Sequence, residues 1–285
     1  MAETKGHWSI NSVKYETSGS VDVPGTLLAG LMDESVRARI VATEDGVLAG
    51  AEYLAPRARE LDLDARVHLE SGQRLRKGLV IAVFKGNPVR VIRGEDVMLS
   101  LIGKASGIAT AARRAVAAAG RVRVVCGGWK KMPLHLKPLL RAAIKAGGAG
   151  IRMLEPPFVY LDKNYIRMFG SVTSTLCAAE RLPGRPVVIQ LRGETGPIGE
   201  EVELAANGGA AVVMIDTGSV EDLREAAARL NHLGVRNKVR IAFSGGLTLD
   251  RLPALSAEDV DMIDVGRAII DAPLLDFRYE LTKRD

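Results

Sequence analysis

Two short stretches near the C-terminal end carry residue types suited to holding an anion. Residues 239–248 read Val-Arg-Ile-Ala-Phe-Ser-Gly-Gly-Leu-Thr, and residues 260–267 read Val-Asp-Met-Ile-Asp-Val-Gly-Arg. Each is an apolar run that stops at glycine, the pattern of a buried parallel strand with apolar residues on both faces. Ser244, Gly245, Gly246 and Gly266 then fall at the carboxyl ends of neighbouring strands. There the missing Cβ lets backbone N–H groups approach a phosphate closely. In (β/α) barrels the last two such loops commonly form a phosphate site. Ordinary tight turns are the alternative, but two glycine-ended strands in succession favour phosphate.

The surrounding elements must place those loops side by side. From residue 121 onward, candidate strands at 122–126, 158–161, 187–191, 211–215, 239–243 and 262–265 alternate with helices at 138–146, 202–206 and 220–233. Pro138 suits the first turn of a helix and Gly147 its end. Such alternation implies a parallel sheet with right-handed crossovers. Six or seven units closing on themselves give a barrel; an open doubly wound sheet competes.

The N-terminal part reads as a smaller α+β unit. A helix is expected over 26–32, strands over 37–43 and 65–69, and an alanine-rich helix through Arg59. Strands over 79–85 and 89–93 would be joined by Gly86-Asn87-Pro88, ahead of a long helix over 95–119 with a break near Ser106-Gly107. The expected division is 1–112 for the first domain and 113–269 for the barrel, with the tail from about residue 270 packing back on the first.

Composition narrows the function. The chain has 285 residues, 47% hydrophobic and 26% charged, as ordinary globular proteins do. No apolar run reaches the 18 or so residues of a membrane span, and residues 1–7 lack the apolar core of a signal peptide. Cys126 and Cys177 have no paired spacing, which argues against a disulfide framework or zinc site and for a reducing cytoplasm. His7, His68, His135 and His232 are scattered. A net charge of +5 with only 4% aromatics suits a small phosphorylated ligand better than nucleic acid.

A resemblance enters with residues 39–50, Arg-Ile-Val-Ala-Thr-Glu-Asp-Gly-Val-Leu-Ala-Gly. With Ser106-Gly107-Ile108-Ala109-Thr110, Arg113-Arg114, Met214-Ile215-Asp216, Ser244-Gly245-Gly246-Leu247-Thr248 and Val265-Gly266, they resemble the nicotinate-nucleotide pyrophosphorylase, or quinolinate phosphoribosyltransferase, family. The ordered set is specific where no single motif is. The resemblance implies an α/β protein, an N-terminal α/β sandwich domain plus an open α/β barrel of the type II phosphoribosyltransferase kind. It also implies a homodimer or homohexamer whose site the neighbouring subunit completes, and transfer from phosphoribosyl pyrophosphate to quinolinate with magnesium and loss of carbon dioxide.

The departures fall on the acceptor and catalytic side. Where the family has Arg after the Glu that opens the long helix, Asp96 follows Glu95. The family's Asp-Thr-Arg-Lys-Thr-Thr-Pro corresponds to residues 127–133, where Trp129 replaces Arg and Lys130 stays. A His-Arg pair becomes Ile151-Arg152, and Ile-Lys-Asp-Asn-His becomes Leu161-Asp162-Lys163-Asn164-Tyr165. Two carboxylate positions align with Gln190 and Ala242.

These positions set the expected roles. Lys130, Arg152 and Lys163 would hold the pyrophosphate leaving group or a carboxylate, unless they are solvated surface charges. Trp129, Asp96 and Asn164 would face the acceptor, Trp129 being otherwise a packed strand-end residue. Asp216 would bind ribose hydroxyls or magnesium, or else cap the next helix. Quinolinate, a dianion, needs several fixed cations. The expectation is therefore a phosphoribosyltransferase with a small aromatic acceptor other than quinolinate. An ordinary quinolinate enzyme with a compensated site, a molybdenum-associated ModD-like protein and a non-catalytic phosphosugar binder are the alternatives.

Overall fold

The computed structural model describes residues 21–282; the readings of the signal-peptide region and His7 lie outside them. After a short helix α1 (Val23–Leu27) come β1 (Val36–Ala42), β2 (Gly46–Val47), α2 (Leu54–Glu60), β3 (Asp64–Val67), β4 (Arg74–Leu75) and β5 (Val80–Gly86). The chain then enters α3 (Pro88–Ala119). Residues 89–93, expected as a strand, form its first turns instead. Gly86-Asn87-Pro88 is not a hairpin turn: the Asn87 side chain accepts from the Val89 amide at 2.9 Å, and Pro88 occupies the first helical position. Such a cap and proline start a helix.

Nor does α3 break at Ser106-Gly107. It runs 32 residues unbroken, because Gly107 is there for packing: a Cβ would lie 1.9 Å from the Pro273 carbonyl oxygen. Ser106 and Thr110, both buried, accept from the amides of Ala49 and Val47 at 3.0 and 2.9 Å. Much of the C-terminal half of α3 is buried by this chain itself.

Beyond α3 the barrel strands are β6 (Arg123–Val125), β7 (Val159–Leu161), β8 (Val187–Leu191), β9 (Val212–Asp216), β10 (Arg240–Ser244) and β11 (Met262–Asp264). Between them run α4 (Lys137–Ala146), α5 (Lys163–Phe169), α6 (Val172–Ala179), α7 (Ile198–Asn207), α8 (Val220–His232) and α9 (Leu252–Leu255). Helices α5 and α6 were not read from the sequence. The last elements are α10 (Arg267–Ile270) and β12 (Phe277–Thr282).

The parallel sheet has the order β6-β11-β10-β9-β8-β7. The order never reverses along the chain, as a doubly wound sheet requires at its switch point; this is barrel winding. Gly150 extends the sheet beyond β6 through a bridge to Val125. Among the described residues nothing pairs that margin with β7, so the barrel has an open seam. Its inner face holds Met153, Leu154, Val188, Val212, Met214, Ala242 and Met262, while the outer face and its helices form the largest core.

The N-terminal sheet has the order β12-β1-β5-β3 and its own core, including Phe84, Ile40 and Leu54. The tail does return to it: β12 pairs antiparallel with β1 from Ala42↔Phe277 to Arg37↔Thr282. Sequence boundaries put the domain division at 112, inside α3, a helix that contributes to both cores.

Candidate active site

Strand alternation builds the site. Side chains two apart on a strand share a face. Val188, Met214, Ala242 and Met262 point into the barrel, so Gln190, Asp216, Ser244 and Asp264, each two residues on, form a polar layer at the carboxyl end. The register sets Ser244 opposite Asp216 and Ala242 opposite Met262.

Asp216 sits at the centre of this layer. Its carboxylate accepts from Gln190 Nε2 at 2.5 Å and faces Arg192 at 3.7 Å. The other end of the Gln190 amide accepts from the Lys163 backbone at 3.1 Å. Asp216 is no helix cap, because Ser219 caps α8 by accepting from Asp222 N at 3.1 Å. Among the described residues no three His, Cys, Asp or Glu side chains converge on a metal position. A single carboxylate fits magnesium that is carried mainly by substrate phosphates and water.

Arg192 belongs to a loop tied down by Glu201. This carboxylate, 2% exposed, accepts from the amides of Arg192, Gly193 and Thr195 at 3.2, 2.9 and 2.8 Å and from the Thr195 hydroxyl at 2.7 Å. Glu194 in the same loop takes both guanidinium bonds of Arg167 at 2.8 Å, and that pairing holds its carboxyl below the ordinary range.

The glycine loops after β10 and β11 are adjacent because their strands are. Gly245 and Gly246 have φ of 117° and 70°, in the left-handed region open to glycine. The amides of Gly246 and Gly266 find no acceptor among the described residues, as a phosphate cradle requires. The sequence places Ser244, Gly245, Gly246, Gly266 and Asp216 at one mouth, and the structure keeps them there.

On the seam side a cleft of about 500 Å³ is lined by Trp129, Lys130, Ile151, Arg152, Met153, Phe158, Tyr160, Arg185 and Asp264, among others. Trp129 both packs and lines: its indole N–H donates to the Ile151 carbonyl at 3.2 Å, and Arg141 lies 5.0 Å over its ring. Lys130 Nζ stands 4.5 Å over the Tyr160 ring, whose hydroxyl donates to Met214 Sδ at 3.3 Å. Burial and the charges of Asp264 and Asp216 push the Tyr160 phenol well above its ordinary range, so it stays neutral. Cys126, below the cleft, is buried and its thiol is pushed up to about 12.

Asp264 is the member that sequence reasoning did not single out. One carboxylate oxygen accepts from the Gly127 amide at 2.8 Å. Burial raises its pKa above the ordinary value; the Gly127 N–H and the charges of Lys130 and Lys131 oppose the rise, and Asp216 adds to it.

Three expected residues are not brought to the cleft lining. Lys163 reaches the site through its backbone, and Asn164 is exposed, its amide bonded to Asp162 at 2.9 Å. Asp96 lies on the exposed face of α3 beside Met98, a member of the N-terminal core, and within one chain it does not join the barrel site.

The sequence profile described as "Quinolinate phosphoribosyl transferase, C-terminal domain" matches residues 108–280, and its N-terminal counterpart matches residues 22–106. A probable nicotinate-nucleotide pyrophosphorylase [carboxylating] from Bacillus subtilis is 29% identical over 276 residues, 96% of this chain and 92% of that one. The nicotinate-nucleotide pyrophosphorylase [carboxylating] of Rattus norvegicus is 30% identical over 91% of this chain and 87% of its own. In fold the chain resembles a nicotinate-nucleotide pyrophosphorylase structure from Ehrlichia chaffeensis, with a TM-score of 0.79 at 19% identity, covering 93% of this chain and 94% of that one. A Pyrococcus furiosus structure of the same description gives 0.78 at 23% identity, covering 90% and 72%.

Proposed function

This chain belongs to the quinolinate phosphoribosyl transferase family and is a phosphoribosyltransferase; from that premise we propose that it transfers phosphoribosyl from phosphoribosyl pyrophosphate to a small aromatic acceptor other than quinolinate. One observation carries the choice of acceptor. With Lys130 and Arg152 of the cleft lining assigned to the leaving pyrophosphate, the acceptor meets Asp264, Trp129 and Ile151 with Arg185 as the remaining cation of that lining, where a dianion needs several.

The chemistry follows from the layout. The donor phosphate rests on the amides of the Gly245-Gly246 and Gly266 loops, and Asp216 orients the ribose. As the bond from C1′ to pyrophosphate breaks, positive charge grows on the ribose and negative charge on the leaving group. Lys130 and Arg152, both lining the cleft, stabilise the departing pyrophosphate, and the aromatic walls hold the acceptor in line. Magnesium, which Asp216 would hold together with the donor's phosphates, neutralises part of the leaving charge when bound. Dimeric or hexameric assembly and a cytoplasmic setting belong to the same proposal; Asp96 could reach a barrel site only in another copy.

Quinolinate itself is the second reading. Lys130, Arg152 and Arg185 all line the cleft, and the two relatives above are named as carboxylating enzymes. Pyrophosphate release measured with a panel of aromatic acceptors, alongside carbon dioxide release with quinolinate, decides between them. Turnover of another ring with quinolinate at least about a hundredfold poorer is expected, two lost charge-assisted bonds being worth that much. Ready formation of nicotinate mononucleotide establishes the second reading instead.

A further inference from the structure

Asp264 makes an unusual wall for an acceptor cleft. Its Oδ1 is committed to the Gly127 amide at 2.8 Å, while Oδ2 accepts from no donor among the described residues. Among the described residues no cation pairs with it directly; Lys130, Lys131 and Asp216 act on it only through their charges. A carboxylate oxygen without a partner is free to take a donor from a ligand, and the space Asp264 borders is the cleft between Trp129, Ile151, Phe158 and Tyr160.

We propose that Asp264 recognises the acceptor by taking its N–H, and that the acceptor is a neutral, N–H-bearing nitrogen heterocycle of the azole class. This rests on the reading that the chain is a phosphoribosyltransferase with an acceptor other than quinolinate. A pyridine carboxylate offers Asp264 only lone pairs and negative charge. An azole offers a ring N–H on one side and a nucleophilic nitrogen on the other, and its flat body suits the aromatic walls.

The transfer balances with these groups. The lone pair of the pyridine-type nitrogen forms the bond to ribose C1′. The bond from C1′ to oxygen breaks, and its electron pair leaves with pyrophosphate. The other ring nitrogen gives its proton to Asp264 Oδ2, keeping the pair that restores a neutral ring. The products are the N-riboside 5′-phosphate, pyrophosphate and one proton, which Asp264 passes to solvent. Burial, by raising the basicity of this carboxylate, suits it to accept a proton in the transition state.

The test is calorimetry of the full chain, with ribose 5-phosphate filling the donor's place. The probes are two pairs, imidazole with 1-methylimidazole and benzimidazole with 1-methylbenzimidazole, titrated into wild type and Asp264→Asn. Wild type is expected to bind the N–H member of at least one pair about tenfold or more tighter, the effect of one hydrogen bond to a charged group. Asp264→Asn is expected to lose that preference. No binding of either pair, equal binding within both pairs, or a preference that survives in Asp264→Asn overturns the inference. The wild-type comparison stands even if the variant fails to fold. Donor binding is read separately. Phosphoribosyl pyrophosphate bound without any N–H preference overturns the role of Asp264 alone, whereas no donor binding overturns the function beneath it.

Discussion

Gly218 and Gly245 meet backbone to backbone. The Gly218 amide donates to the Ser244 carbonyl at 2.9 Å, and a Cβ on Gly245 would lie 2.2 Å from the Gly218 nitrogen. Gly245→Val would therefore disrupt the loop rather than only block it. Gly246 is the cleaner position. It has φ of 70° with nothing within 4 Å of an added Cβ, and Asp tolerates that conformation better than most residues. Gly246→Asp is expected to weaken ribose 5-phosphate binding by about tenfold or more with little change in melting temperature, and Gly245→Val to lower both. Calorimetry with a thermal melt checks this; full affinity in Gly246→Asp removes the phosphate cradle.

Glu201 holds the loop that presents Arg192 to Asp216. Replacing it with Ala leaves three amides and a hydroxyl without their shared acceptor. Each unsatisfied buried donor costs about 1–3 kcal/mol. Because the loop can relax toward water, Glu201→Ala is expected to lose about 2–4 kcal/mol, with faster amide exchange over residues 192–195. Urea unfolding is the measurement, and a loss of under about 0.5 kcal/mol, the scale of an ordinary surface change, contradicts the role.

Asp264 gives a pH dependence of known sign. Its carboxyl holds its proton to higher pH in the folded protein than at the ordinary value of 3.8. Between those two values the folded state binds more protons, so stability falls as pH rises. The neutral form's contribution is complete below about pH 4 and is lost above the folded pKa. Asp264→Asn should therefore melt at nearly the wild-type temperature in acid and a few degrees above it at pH 7. Melting curves across that range check it, and a variant less stable at neutral pH than in acid, relative to wild type, gives the opposite sign.

Much of the barrel is legible in the sequence because buried parallel strands are apolar on both faces and punctuated by glycine. The strand at Val187–Leu191 is read residue for residue. The N-terminal part is harder. The residues after Asn87 include two valines and an isoleucine, which favour strand by propensity, yet the Asn87 cap and Pro88 decide for helix. The glycine loops after β10 and β11 are legible for the same reason as the strands. Asp264 was not, although it carries a signal: Met214-x-Asp216, Ala242-x-Ser244 and Met262-x-Asp264 repeat an apolar residue followed two places later by a polar one. Period-two reading at strand ends would have found it. Glu201 has no such signal, since its partners are three backbone amides and one hydroxyl brought close only by the fold.

The pairing of β12 with β1 joins a strand made early to one that follows the whole barrel. The edge of β1 facing Phe277–Thr282 has no such partner until those residues have emerged. At about 5–20 residues per second that wait lasts on the order of tens of seconds. Through it the nascent sheet exposes a bare strand edge, of the kind that recruits other chains. A ribosome stalled after the barrel but before residue 277 would therefore carry a finished catalytic half beside an unfinished sheet.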